Sequence, residues 1–240
     1  FNFHLYYKRL TRSLKSISIK NPFKEQSLKS LIRKMIRVNK LDQGFVYLQI
    51  TRGVKEREHH YSDVKLKPTI ILTAKKIDLN KIKKTQSLGV KVTIFDDLRW
   101  KRCDIKSISL LPNVMAKNYA YKKSFYESLL VDESGNISEG SSTNAWMVNK
   151  NNVVITRKAN NQILNGITRQ VVMSVLKRNK FKVMEKSFSV KDAKKSKEFF
   201  ITGTTTFVMP VVKIDKVTIG NGKPGTVTKQ ISKFFMERLK

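Results

Sequence analysis

The chain has 240 residues, of which 40% are hydrophobic and 28% charged, so it can bury a core and lacks the composition of a disordered protein. Its net charge of +31 suggests a nucleic-acid or anionic-membrane partner, but the basic residues are scattered through every segment. We therefore expect a solvated cationic surface, no dedicated nucleic-acid site and no metal site. With one cysteine, a disulfide framework within the chain is excluded.

No apolar run approaches the length that crosses a bilayer, and the densest runs, at 69–72 and 199–201, have the length of strands. The opening residues lack the cationic start, apolar stretch and cleavage site of a secretory leader. Together with the single Cys103, these features predict a cytoplasmic protein without a membrane span.

The first region has the pattern of a mixed α/β domain. Apolar residues recur at helical spacing over 28–37, and strand-like runs follow at 44–50 and 68–73. A polar stretch then separates this region from the rest. The sequence predicts a small α/β domain at 1–76, a connector at 77–87 and a large domain at 88–240.

The second region alternates strand and helix patterns, with turn residues between them. The predicted elements are a strand at 90–95, a helix at 112–123, a hairpin from strand 126–131 through turn 132–136, a second hairpin of 144–148 and 153–155, a helix from Thr168, strands at 181–185 and 198–202, and a C-terminal helix that buries Val227, Ile231, Phe234, Phe235 and Leu239.

Lys106 differs from the other lysines in its apolar neighbours, which include Ile105, Ile108, Leu110 and Leu111. We expect it near a core, where desolvation would lower its pKa and make it a nucleophilic amine. A lysine taken at random is a solvated surface group, so this segment alone decides nothing.

Three other segments suit the binding of a phosphorylated ligand. Glu139 is the acid of a Gly- and hydroxyl-rich turn, and 165–169 and 202–206 resemble a helix N-terminus and a Gly-hydroxyl turn that could hold an anion. Each has a plain alternative: a polar loop, a Thr cap and an ordinary turn. Together, an amine, an acid and two phosphate-type loops are what a phosphorylated aldehyde cofactor with a ring nitrogen requires.

Five segments resemble, in order and spacing, the fold-type IV aminotransferases that depend on pyridoxal 5'-phosphate, the D-alanine and branched-chain group. They are 102–111, 113–117, 138–144, 163–169 and 201–206. The resemblance covers essentially the whole chain. It implies an α+β, two-domain fold with a small α/β domain and a larger β-barrel-like domain with flanking helices, and pyridoxal 5'-phosphate as cofactor.

The same resemblance implies roles for single residues. Lys106 would be the Schiff-base lysine and the base that moves the proton, and Glu139 would pair with the pyridinium nitrogen. The other implied cofactor contacts are Arg9, Ile167, Thr168 and Thr204 at the phosphate, Leu164 against the ring face, and Ser141 and Ser142 at its polar edge.

Arg57 and His59, two residues apart, resemble the D-alanine aminotransferase pattern that holds the substrate's α-carboxylate. In that subfamily the loop reaches the neighbouring subunit, which implies a homodimer. We therefore predict ping-pong transamination of D-amino acids with 2-oxo acids, such as D-alanine and 2-oxoglutarate to pyruvate and D-glutamate. The alternatives are a branched-chain L-amino-acid aminotransferase, an aminodeoxychorismate lyase, and a non-catalytic basic nucleic-acid-binding protein.

The sequence departs from the family pattern at three places. Tyr6 stands where the family often has His, and Gly203 where some relatives have a hydroxyl residue. The family's small domain also has strands before the Arg9 segment, and no residues here match them. We expect exposed sheet edges in the small domain and an incomplete substrate pocket.

Overall fold

The computed structural model describes residues 1–61 and 66–239. The chain divides into two compact units, a smaller one of Asn2–Leu79 and a larger one that runs from Asn80 and includes Phe1. In the described residues, no helix combines the length and the hydrophobicity that crossing a bilayer requires.

The smaller unit contains two helices and a two-stranded sheet. Its elements are α1 (Phe3–Ser16), α2 (Glu25–Val38), β1 (Gly44–Ile50) and β2 (Ile70–Lys76). The strands pair antiparallel, with Gly44 opposite Lys76 and Ile50 opposite Ile70. Leu14 and Leu28 are buried, because each helix turns an apolar face inward.

The predicted connector at 77–87 folds for the most part as a helix, α3 (Leu79–Leu88). Neither Gly nor Pro interrupts these residues, and the helix ends immediately before Gly89, whose φ of +73° suits glycine. The segment is polar because it forms a helix with no buried residue, and not because it is a loop.

The larger unit is built on one mixed sheet with helices around it. Its elements are β3 (Val90–Asp96), α4 (Leu111–Lys122), β4 (Glu127–Val131), β5 (Ile137–Gly140), β6 (Asn144–Val148), β7 (Val154–Thr156), α5 (Ile167–Arg178), β8 (Val183–Glu185), α6 (Val190–Lys194), β9 (Glu198–Gly203), β10 (Phe207–Ile214), β11 (Val217–Thr218) and α7 (Thr226–Glu237). The strand order is β5-β4-β3-β10-β9-β6-β7-β8, with β11 on β10. The β3–β4, β3–β10 and β7–β8 pairs are parallel.

The core of the larger unit lies against the middle of this sheet. Strands β6, β7 and β9 are buried almost throughout, so their sequences run apolar without alternation. Trp146 stacks on Phe200 with ring centroids 5.5 Å apart, and its indole N–H donates to Thr202 Oγ1 at 2.9 Å. This packing fixes β6 and β9, the strands that support the candidate site.

Strand β10 is an element that the sequence analysis does not predict, although it lies at the centre of the sheet between β3 and β9. Its fourth residue, Pro210, stands opposite Phe200 of β9 and cannot donate to the ladder. A proline in the middle of a segment argues against a strand when only the local sequence is considered. In the folded chain, burial on both sides stabilises this strand.

Candidate active site

The centre of the candidate site is the buried carboxylate of Glu139, at the end of β5, with 5% of the residue exposed. Its Oε1 accepts hydrogen bonds from Arg99 Nη1 at 2.5 Å and from the Leu164 backbone N–H at 3.2 Å. Its Oε2 accepts from Asn144 Nδ2 at 2.8 Å, and the same amide donates to Leu164 O at 2.9 Å. The carboxylate is thus held by the nearby Asn144 and by two residues distant in sequence, Arg99 and Leu164.

The acidity of Glu139 is set by two opposed effects. Burial raises its pKa, whereas Arg99 and the Leu164 N–H lower it because they stabilise the anion, and the net pKa is about 7. An ionised carboxylate offers about four acceptor positions, and the described donors use two on Oε1 and one on Oε2. Oε2 can therefore accept one more N–H, as a pyridinium nitrogen would provide.

The turn between β5 and β6 is organised by Glu127, a residue that the sequence analysis missed. Glu127 is fully buried on β4 and accepts hydrogen bonds from Ser141 Oγ, Ser142 Oγ and Thr143 Oγ1, the last two at 2.8 and 3.3 Å. Since these hydroxyl protons point to Glu127, Ser141 and Ser142 can offer a ligand lone pairs rather than protons. The available signal was an acid at the start of a strand that ends in three apolar residues.

The N-terminus of α5 forms a second wall. Gly166 is its N-cap and has no side chain to accept from the first-turn N–H groups. The alternative of a Thr cap at Thr168 is wrong, because Ile167 and Thr168 already lie inside the helix. A Cβ on Gly166 would lie 2.3 Å from Asn144 Oδ1, so glycine permits the close approach of helix and strand. This helix end suits an anion.

The turn after β9 lies beside the hydroxyl-rich turn. A Cβ on Gly203 would be 3.4 Å from Thr143 Cγ2 and 3.5 Å from Ser142 O, and Thr204, in this same turn, is exposed. Thr202 pairs with Asn144 across β6 and β9. The sheet therefore brings the surroundings of Glu139, the hydroxyls of the β5–β6 turn, the α5 N-terminus and the Thr204 turn together around Asn144.

The expectation that apolar neighbours hold Lys106 in a core is wrong for the single chain. Ile105 is buried, but Ile108 and Leu111 are 64% and 71% exposed, and Lys106 itself is exposed. The reason is that residues 99–110 form an irregular segment along the surface rather than a buried strand. The contacts that hold this segment to the site include the hydrogen bond from Arg99 to Glu139 and the one from the Cys103 N–H to the Asn161 carbonyl, at 2.8 Å.

The three predicted site residues of the first region lie in the smaller unit. Arg9 is on α1, with its guanidinium carbon 5.4 Å from the centre of the Tyr6 ring, and burial lowers its pKa. Arg57 and His59 are exposed in an irregular segment, with Arg57 Nη2 3.3 Å from His59 Nε2. Their roles toward cofactor and substrate stay predictions.

Comparison with known proteins finds a matching family and similar enzymes. Residues 1–214 match the family described as "Amino-transferase class IV". The D-alanine aminotransferase of Bacillus licheniformis is 40% identical over 223 residues, 93% of this chain and 77% of that protein. That of Listeria monocytogenes serotype 4b is 35% identical over 241 residues, 100% of this chain and 82% of that protein.

A solved structure shows the same fold. The branched-chain amino acid aminotransferase of Escherichia coli superposes with a TM-score of 0.87 at 23% identity, over 99% of this chain and 79% of that one. At this identity the likeness concerns the fold alone. It confirms the predicted α+β, fold-type IV architecture.

Proposed function

Since this chain belongs to the amino-transferase class IV family, we propose that it transfers amino groups between D-amino acids and 2-oxo acids with pyridoxal 5'-phosphate as cofactor. The observation that carries the proposal is the Glu139 carboxylate, buried and oriented beside the α5 N-terminus. The choice of D-amino acids is supported by two relatives, at 35% and 40% identity, that are D-alanine aminotransferases. D-Alanine and 2-oxoglutarate are the proposed substrate pair.

The residues fit the cofactor at both of its ends. The α5 N-terminus offers N–H groups and a positive dipole to a phosphate, and Oε2 of Glu139 can accept one N–H from a ring nitrogen. When bound, pyridoxal 5'-phosphate supplies a ring that takes up the electrons left when the substrate's Cα loses its proton. The proposed contacts are Lys106, Glu139, Ser141, Ser142, Leu164, Ile167, Thr168, Thr204 and Arg9.

Each proposed residue has a limited task in the two half-reactions. The Lys106 amine attaches the cofactor and moves a proton at the substrate's Cα. Glu139, as an anion, holds the proton on the ring nitrogen. Arg57 and His59 bind the α-carboxylate, for which a guanidinium is suited by charge and shape. A D-amino acid leaves as a 2-oxo acid, and a second 2-oxo acid then takes up the amine.

We propose further that the active form is a homodimer. Large apolar side chains are exposed on the segment after Lys106 and at the start of α4, namely those of Ile108, Leu110, Leu111, Val114 and Met115. An apolar patch of this kind marks a binding surface, and a second copy that covered it would also remove Lys106 from bulk water. Light scattering after gel filtration should give twice the chain mass, and a monomer that transaminates would contradict this proposal.

Substitution of Lys106 tests the proposed attachment. Lys106→Ala should lose the visible absorbance of the bound cofactor and its turnover, because no other residue is proposed to bond the aldehyde carbon. Borohydride treatment of the unaltered protein, followed by peptide mapping, should label Lys106. Lys101→Ala, an exposed lysine of the same segment, is the matched control. If colour and turnover survive in Lys106→Ala, the assignment of Lys106 is wrong.

A substrate panel separates the proposed reaction from other chemistries of the fold. D-Alanine with 2-oxoglutarate should yield pyruvate, and L-leucine should react far more slowly. Activity on L-leucine but not on D-alanine would favour the branched-chain alternative. Production of pyruvate from aminodeoxychorismate alone would favour the lyase.

A further inference from the structure

Arg99 is a buried cation that the proposed mechanism does not use. Its side chain is 6% exposed. Nε and Nη2 donate to Asp97 Oδ1 and Oδ2, both at 2.8 Å, in a bidentate pair. Nη1 donates to Glu139 Oε1 at 2.5 Å, and Nη2 also lies 3.2 Å from Gln162 O. One guanidinium therefore joins its own loop, the end of β5 and the segment that precedes α5.

The pair with Asp97 fixes the direction in which Arg99 points. Asp97 itself is held by Ser138 Oγ, which donates to Oδ2 at 2.6 Å. Hydrogen bonds from Arg99 and Ser138 outweigh burial and hold the pKa of Asp97 below its usual range, so this carboxylate stays charged. With its Nε–Nη2 edge on Asp97, the planar guanidinium presents Nη1 to Glu139. Neutralising Asp97 would not by itself require the additional hydrogen bond from Arg99 to Glu139.

We propose that Arg99 is the positioning residue that keeps the Glu139 carboxylate ionised and turns its Oε2 toward the ring nitrogen of the cofactor. This inference rests on the proposed function. Arg99 touches neither the cofactor nor the substrate in this assignment, and it acts through Glu139.

Two observations support the inference. Arg99 and the Leu164 N–H both bond Oε1, which makes the two carboxylate oxygens inequivalent and leaves Oε2 with spare acceptor capacity. Arg99 is also the cation that pairs with Glu139 within 4 Å among the described residues. Burial raises the pKa of Glu139 to about 7 even in its presence. Without it, the buried acid would be neutral at neutral pH and could not hold a proton on the ring.

Two substitutions separate the charge of Arg99 from its shape. Arg99→Met keeps most of the length but removes the charge, and Arg99→Lys keeps the charge but loses the bidentate fork. Removal of an adjacent cation should raise the Glu139 pKa by about one to three units. A rise of two units lowers the ionised fraction at pH 7.5 by about 25-fold. Arg99→Lys should raise the Glu139 pKa less than Arg99→Met does, because it keeps the charge.

The measurement is carbon-13 NMR of glutamate-carboxyl-labelled full chain, with and without added pyridoxal 5'-phosphate, and Glu139→Gln assigns the resonance. We expect titration near pH 7 in the unaltered protein and above pH 8 in Arg99→Met. A merely structural role would leave the titration midpoint in place. In a folded Arg99→Met protein, an unchanged midpoint overturns the inference, while transamination by the unaltered protein would leave the proposed function standing.

The reverse outcome is also distinguishable. If Glu139 titrates higher in Arg99→Met but the unaltered protein transaminates no amino acid, the coupling of Arg99 to Glu139 holds and the proposed function fails. Should Arg99→Met not fold, Arg99→Lys carries the test. It should raise the Glu139 midpoint by a smaller amount, and an unchanged midpoint overturns the inference.

Discussion

Glu139→Gln should abolish a specific pH dependence of stability. In the folded protein, burial raises the Glu139 pKa to about 7 from an ordinary value of 4.5. Between these two pH values the folded state holds more protons than the unfolded state, so this group lowers the free energy of unfolding as the pH rises. A difference of roughly 2.5 units corresponds to about 3 kcal/mol at full effect.

The assay is urea unfolding of the cofactor-free chain at intervals from pH 4.5 to 8, followed by tryptophan fluorescence, which comes from the buried Trp146 and the exposed Trp100, both in the larger unit. Relative to Glu139→Gln, the unaltered protein should lose up to about 3 kcal/mol across this range, with most of the loss complete by pH 7. Glu133→Gln changes an exposed acid in the turn after β4 and should parallel the unaltered protein.

Parallel stability curves for Glu139→Gln and the unaltered protein would refute the reasoning. They would mean that the environment of Glu139 compensates its burial completely, so that its pKa in the folded state is ordinary. A slope of the opposite sign would mean that Arg99 outweighs burial.

Two glycine substitutions test the packing of the larger unit. Gly225→Ala would place Cβ 2.0 Å from Cδ of Glu198, whose carboxylate caps α7, and should lower the free energy of unfolding in urea by about 1–3 kcal/mol. Gly203→Ala is the control, because its new Cβ would make an ordinary 3.4 Å contact. An equal loss of stability in both variants would contradict the steric argument. Gly166→Ala should displace the Asn144 amide, which would lie 2.3 Å from the new Cβ, and weaken pyridoxal 5'-phosphate binding about tenfold or more in a fluorescence titration. An unchanged affinity for pyridoxal 5'-phosphate would exclude Asn144 from the proposed site.

The amino-acid sequence determined the local elements of this protein. Strand β1 and helix α4 lie within a residue of their predicted bounds, because apolar periodicity, Pro112 in the first turn and the turn residues act over a few neighbours. It also determined the family, since the motifs keep their order and spacing. The predicted site residues of the larger unit come from these local motifs, and their roles stay predictions.

Only the tertiary structure decided which groups surround those motifs. Arg99 and Glu139 are 40 residues apart, and Ser142 and Glu127 are 15 apart, so nothing in the local pattern joins them. Packing likewise decided that Lys106 is exposed, although its sequence neighbours are apolar. It also decided that β10 lies at the centre of the sheet, although the strand contains a proline. Burial and charge pairing depend on distances that a folded chain creates between remote residues, and local periodicity carries no information about them.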